Sequence, residues 1–93
     1  MNWTIEEERI CCENIVSTYV ISKATTDVED VLQKIKRYPE FAMRDIGSIR
    51  MRIQNIKALL EEFGIQNTLT LKPLGNVAKQ TREVLLDNLK IPS

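Results

Sequence analysis

The chain is expected to be all-α, a compact bundle of about four helices, and three observations carry that expectation. Apolar residues recur three and four positions apart over most of the chain, the period of a helix buried on one face. Start and stop signals punctuate the pattern. Thr4 and Thr26 each stand three residues before a glutamate, and Pro39, Gly64 and Pro92 fall where periodic stretches end. Strand-like alternation is confined to one weak run near 65–72. Ninety-three residues, 43% of them hydrophobic, suit one small domain over 1–93 that buries about two-thirds of its unfolded surface. Within it a three-helix core of helix-turn-helix character spans 3–63, and a C-terminal helix follows over 76–90.

The first helix starts at Thr4, whose hydroxyl and the Glu7 carboxylate form a capping box for the first-turn amides. Glu6, Glu7 and Glu8 then read as a solvated first turn matched to the positive end of the helix dipole. Cys12, Ile15, Val16 and Tyr19, joined by Ile5, make the buried face; Trp3 folds back against it, and the helix ends near Val20 or Ile21. After a polar link over 22–25, Thr26 with Glu29 repeats the capping box. Val28, Val31, Leu32 and Ile35 form the core face of the second helix. Lys34, Lys36 and Arg37 suit its negative end, and Pro39 stops it by excluding Tyr38 from the α region. The connection over 39–44 carries Phe41 and Met43 as plugs for the core.

Asp45 is the expected N-cap of the third helix, 45–63, with Ile49, Ile53, Ile56, Leu60 and Phe63 as its apolar stripe. Gly47 in its first turn sacrifices helix propensity, about 1 kcal/mol against Ala, which suits a close approach by a phosphate or another helix. Gly64 is a natural left-handed terminator. The stretch that follows reads as a loop or one short extended segment. The fourth helix runs from Asn76 through Val77, Ala78, Thr81, Val84, Leu85 and Leu89 until Pro92 ends it.

Composition narrows function mainly by exclusion. The chain has no histidine, which removes the commonest general base and the usual partner of a serine or cysteine nucleophile. Cys11 and Cys12 are adjacent, about 100° apart on a helix, so they neither pair with each other nor complete a zinc shell; a structural role is expected. Gly47, Gly64 and Gly75 are isolated and form no phosphate loop. No enzyme activity, cofactor or metal is expected. The acidic start, MNWTIEEE, lacks the features of a secretory signal, and no apolar run approaches a membrane span, so a cytoplasmic protein without membrane contact is expected.

Formal net charge is zero, but its distribution is uneven. Residues 1–33 hold seven acids against two bases, and residues 34–57 seven bases against two acids. A chain with this asymmetry can present a basic surface despite its neutral sum. On the third helix, Arg50, Gln54 and Lys57 make one polar stripe, with Ser48, Arg52 and Asn55 beside it. Arginine and glutamine suit base edges, and lysine and arginine neutralise phosphate. A DNA-recognition surface would therefore use Arg44, Ser48, Arg50, Arg52, Gln54 and Lys57, with Arg44 and the amides of 46–48 on phosphate. Asn55 is set apart from these: within a helical bundle it can hydrogen-bond the loop after Gly64 rather than a base.

Two segments carry a resemblance. Trp3-Thr4-Ile5-Glu6-Glu7 opens a helix, and after a middle helix comes Gly47-Ser48-Ile49-Arg50-Met51-Arg52-Ile53-Gln54-Asn55-Ile56. The layout is similar to the Myb/SANT class of three-helix domains. It resembles more specifically a small N-terminal module of bacterial HNH endonucleases, restriction enzymes of the McrA type among them. That module opens with W-T-x-E-E and later carries R-x-P-x-S-[VI]-x-M-[KR]-[LI]-x-N, here Arg44 to Asn55 with Ile46 where proline is usual. The resemblance implies a third helix that meets DNA, in a module appended to a nuclease. The nuclease part itself is missing, and Lys57-Ala58-Leu59-Leu60 replaces the usual Leu-Asp-Pro. A bacterial or phage-like, non-catalytic DNA-binding module is one reading. The other is a protein-interaction module that regulates or inhibits a nuclease or defence complex. The neutral sum and the absence of chemistry fit that equally, and self-association stays open.

Overall fold

The computed structural model describes residues 2–92, in which all regular structure is helical. α1 is Ile5–Ile15 and continues directly into a π-helical segment, Val16–Ile21. α2 is Val28–Lys36, a single 3-10 turn spans Pro39–Phe41, α3 is Ile46–Glu62 and α4 is Lys79–Leu89. The radius of gyration is 12.0 Å, near the ~12 Å expected of one packed unit of this length. The stretch over 65–74 is loop without a strand.

Local chemistry sets most of the helix ends. Thr4 Oγ1 accepts from the Glu7 amide at 3.1 Å, and the Thr4 amide donates to Glu7 Oε1 at 2.8 Å, which completes the capping box. Asp45 caps α3 through the Ser48 amide at 2.7 Å. Gly64 adopts φ +68°, which lets the Ile65 amide reach back to the Leu60 carbonyl (2.9 Å) and its own amide to Glu61 (3.1 Å), so the last carbonyls of α3 are satisfied. Tyr38 is extended, as a residue before proline must be.

Two helix starts differ from the sequence expectation. The N-cap of α2 is Asp27, not Thr26; its carboxylate accepts from the Glu29 amide (3.0 Å), while the Thr26 carbonyl takes the Tyr19 hydroxyl (2.8 Å). α4 begins three residues after Asn76, because Asn76 is left-handed (φ 57°) and Ala78 is the extended residue that precedes the first turn. Gly47 admits no close neighbour: a Cβ there would meet nothing nearer than the Asp45 carboxylate, at 3.6 Å. The first helix does end at Ile21, but its last turns are π-helical. Four of the six residues there, Val16, Thr18, Val20 and Ile21, are β-branched and pack poorly in an α-turn.

α3 packs against α1, α2 and α4, and α1 in turn packs against all three other helices. Ile49, Ile53, Ile56, Leu59 and Leu60 are fully buried along α3, and they meet Cys11, Cys12, Ile15 and Tyr19 from the first helix and Leu32 and Ile35 from α2 in one core. Phe63 lies at the edge of that core, beneath Arg82. Phe41 is a plug, fully buried, with its ring 5.7 Å from that of Trp3. Met43 is not: it is 86% exposed. Lys36 explains the geometry, since its Nζ donates to the carbonyls of Phe41 (2.9 Å), Ala42 (3.2 Å) and Arg44 (2.6 Å) and winds the connection tightly with Met43 outermost. Ile5 is also exposed, because the inward positions of the first turn belong to Glu7 and Glu8.

Candidate functional site

The first turn of α1 is not a solvated acidic surface. Glu7 and Glu8 are buried, 6% and 1% exposed, and each meets an arginine from the basic middle third. Arg44 Nε donates to Glu7 Oε2 at 2.8 Å, and its Nη2 donates to Glu7 Oε1 at 3.0 Å and to the Asn2 carbonyl at 3.2 Å. Arg52 donates through Nη1 to the Thr81 hydroxyl, which in turn donates to Glu8 at 3.0 and 3.1 Å. Its Nε sits 3.5 Å from Glu8 Oε1, too long for a hydrogen bond, and is buried without one. Both guanidiniums lie over Trp3, 4.5 and 4.6 Å from its ring centroid. Trp3 is thus held by two cations and the Phe41 ring, and this pins the start of the chain to α3 and α4.

Glu8 also serves α4. Ala78 offers no side chain to cap that helix, and the Glu8 carboxylate reaches from α1 to Thr81 and Gln80 in its first turn, where the helix dipole favours an anion. Gln80 closes the arrangement by donating to the Trp3 carbonyl at 2.8 Å. Beside these residues a cavity of about 400 Å³ opens, lined by Asn2, Trp3, Glu8, Arg52, Ala78 and Gln80. Nothing in the order of the sequence marks this cluster, because its members come from four separate segments.

The polar stripe of α3 is engaged in the same way. Arg50 bonds both oxygens of Glu29 on α2 at 2.7 Å. Gln54 holds the Lys72 carbonyl (3.1 Å) and receives the Leu74 amide on its own carbonyl (3.1 Å). Asn55 holds the carbonyls of Leu74 (2.7 Å) and Gly75 (3.3 Å), the loop contact expected of it, and Lys57 bonds Asn67 at 2.9 Å. Ser48 contributes its amide to the Asp45 cap. The loop from Ile65 to Ala78 therefore straps the outer face of α3. Near its start it is anchored by Thr68, whose amide donates to the Tyr19 carbonyl (3.0 Å), a group left without a helical partner where the π segment passes Ala24's amide to Thr18 instead. The structure brings together Arg44 and Arg52 of the six expected site residues and leaves Arg50, Gln54 and Lys57 on separate ties.

Large apolar side chains are also exposed around this strap. Met51, on α3 next to Arg52, is 56% exposed, and Leu74, held one turn further along by Asn55, is 38% exposed. Met43 projects just ahead of the helix. Cys11 and Cys12 are free and lie in the core; burial first, and the Glu8 charge after it, push the Cys12 thiol up to about 12, and burial followed by the neighbouring Cys12 pushes Cys11 higher still. Among the described residues, no three acidic, cysteine or histidine side chains converge as metal ligands, and no helix is long and apolar enough to cross a membrane. Comparison with known protein families, curated proteins and solved structures returns no match for this chain.

Proposed function

We propose that this chain is a non-catalytic protein-interaction module whose contact surface is centred on Trp3, Met51, Leu74 and the pocket over Arg52. The observation that carries this reading is the division of α3's outer face. Arg50, Arg52, Gln54, Asn55 and Lys57 are tied to α1, α2, the strap and α4, while the large apolar side chains of Met51 and Leu74 are left exposed beside them. Tryptophan and arginine beside a cavity, with an exposed, adaptable methionine next to the arginine on α3, are the residue types that anchor protein partners. A regulator or inhibitor of a nuclease fits this surface, and the resemblance to HNH-associated modules makes a nuclease the first partner to try.

DNA recognition by α3 is the competing reading, and it requires the strap over 65–78 to leave before Gln54, Asn55 or Lys57 can turn to a base. The two are separated by a pair of measurements. Titration of short duplexes across salt is expected to show no binding, and a photo-reactive residue at Met51 is expected to cross-link one protein, with the cross-link lost on Leu74→Lys. Duplex binding with a log–log salt slope of about −3, the value for three or four phosphate contacts, would overturn the proposal.

A further inference from the structure

α4 carries its charges the wrong way round for a helix on its own. Its first turn has no acid and its last turn no base; instead Lys79 and Arg82 stand toward the positive end of the dipole, and Glu83 and Asp87 toward the negative end. Arg82 is accounted for by its ion pair with Glu62 on α3 and by the Phe63 ring beneath it. Lys79 and Asp87 are not: Lys79 is 89% exposed, reaches only Glu83 at 3.8 Å, and Asp87's side chain is exposed.

The same face is concave. Lys90 takes the left-handed conformation (φ 59°), which a residue with a side chain adopts infrequently, and the turn it makes sends the Ile91 amide back to the Leu86 carbonyl at 2.9 Å. Ile91 and Pro92 thereby become a wall, and with Lys79, Arg82, Glu83, Leu86 and Asp87 they line a groove of about 790 Å³ with an apolar floor.

We infer that this groove is occupied by the α4 of a second copy of the chain, antiparallel to the first about a two-fold axis near Glu83. Lys79 lies four residues before Glu83 and Asp87 four after it, roughly 6 Å to either side. An antiparallel copy therefore sets Lys79 of each chain against Asp87 of the other, twice, opposes the two helix dipoles, and brings the two Glu83 carboxylates together near the axis, each beside an Arg82 one residue away. The four charges lining the groove sum to zero in each copy, so the pairing accumulates no net charge, and Leu86, Ile91 and Pro92 leave water. The reversed charge order, unfavourable within one helix, is complementary between two.

The experiment is sedimentation equilibrium of the whole chain from about 10 µM to about 1 mM, the range in which a small interface dissociates. A monomer–dimer equilibrium that weakens with salt is expected. Lys79→Glu and Asp87→Lys should each weaken it at least tenfold, and an equimolar mixture of the two variants should restore it, because both contacts in the mixed dimer again join opposite charges. Each substitution places a charge that suits the helix dipole, so neither threatens the fold, and circular dichroism should show helix content unchanged. A monomer throughout the range, or single variants that associate like the wild type, overturns the inference. That outcome leaves the Met51 surface untouched, which the cross-linking measurement tests separately.

Discussion

Arg44→Met puts the buried cluster at Trp3 to its most direct test. The substitution keeps aliphatic bulk against the indole and removes the charge. Both members of the Arg44–Glu7 pair are only 8% exposed at the side chain, and deleting one partner of a buried pair costs about 3–5 kcal/mol. Glu7 keeps the Thr4 amide, so the lower end of that range applies, with the lost cation–π contact contributing about 0.5–1 kcal/mol within it. A loss of about 3 kcal/mol is a large part of the roughly 5–14 kcal/mol that holds a chain of this length, and it lowers Tm by roughly 12–24 °C. The double variant Glu7→Gln/Arg44→Met should lose less than Arg44→Met alone, since no uncompensated charge remains.

The pH dependence is a second signature of the same pair. Burial works against ionised Glu7, but the hydrogen bonds from Arg44 and Thr4 and the Arg44 charge outweigh it and hold the carboxyl below its ordinary 4.5. A depressed folded-state pKa stabilises the protein above the unfolded value, and that contribution is lost as pH falls through the folded one. In Arg44→Met burial prevails, the Glu7 pKa rises, and protonation relieves the variant. The stability difference between the two proteins should therefore be largest near neutrality and shrink as pH falls through the ordinary carboxylate value of 4.5 and below it. Urea denaturation followed by circular dichroism at several pH values measures it. A difference below about 1 kcal/mol, or one that does not change with pH, would refute the reasoning.

Two glycine substitutions should move stability in opposite directions. Gly64→Ala meets no atom within 4 Å, yet at φ +68° it costs about 1 kcal/mol, while Gly47→Ala, in ordinary contact with Asp45, stabilises by up to about 1 kcal/mol; chemical denaturation reads both. Phe41→Ala should cost about 3–5 kcal/mol and Met43→Gln under about 0.5 kcal/mol, although the two stand two residues apart. Asn55→Ala should free the strap without unfolding the bundle, seen as faster hydrogen exchange of the Leu74 amide and earlier proteolysis within 65–78. Native Cys11 and Cys12 should resist a thiol reagent at neutral pH and react only on unfolding, because burial holds both as thiols.

What could be read ahead of the structure has a common character. The Thr4 capping box, the Asp45 cap, the Pro39 stop and the Gly64 terminator all depend on groups within a few residues of one another, so residue order alone specifies them. The apolar stripe of α3 is legible for the same reason, as a periodic property of one segment. Neither Met43 nor Ile5 could be assigned so simply. Both are apolar and near the core in sequence, and each is displaced outward by a side chain from elsewhere, Lys36 in one case and the Glu7 and Glu8 pairs in the other. The shift of the α2 cap from Thr26 to Asp27 was a choice between adjacent good caps, settled when the Tyr19 hydroxyl claimed the Thr26 carbonyl.

Residue order alone makes this chain a set of capped helices around one apolar stripe, because helix formation is local. It also sets an acidic first third beside a basic middle third. Where those charges end up is a matter of packing. Packing α1 and α2 against α3 brings Glu7 to Arg44, Glu8 to Arg52 and Glu29 to Arg50, so much of what reads as a dipole along the chain closes on itself inside the fold. Whether a polar helix face looks outward is set by what lies across it, here a loop ten to nineteen residues away in sequence. That is a property of the packed chain, and no segment carries it alone.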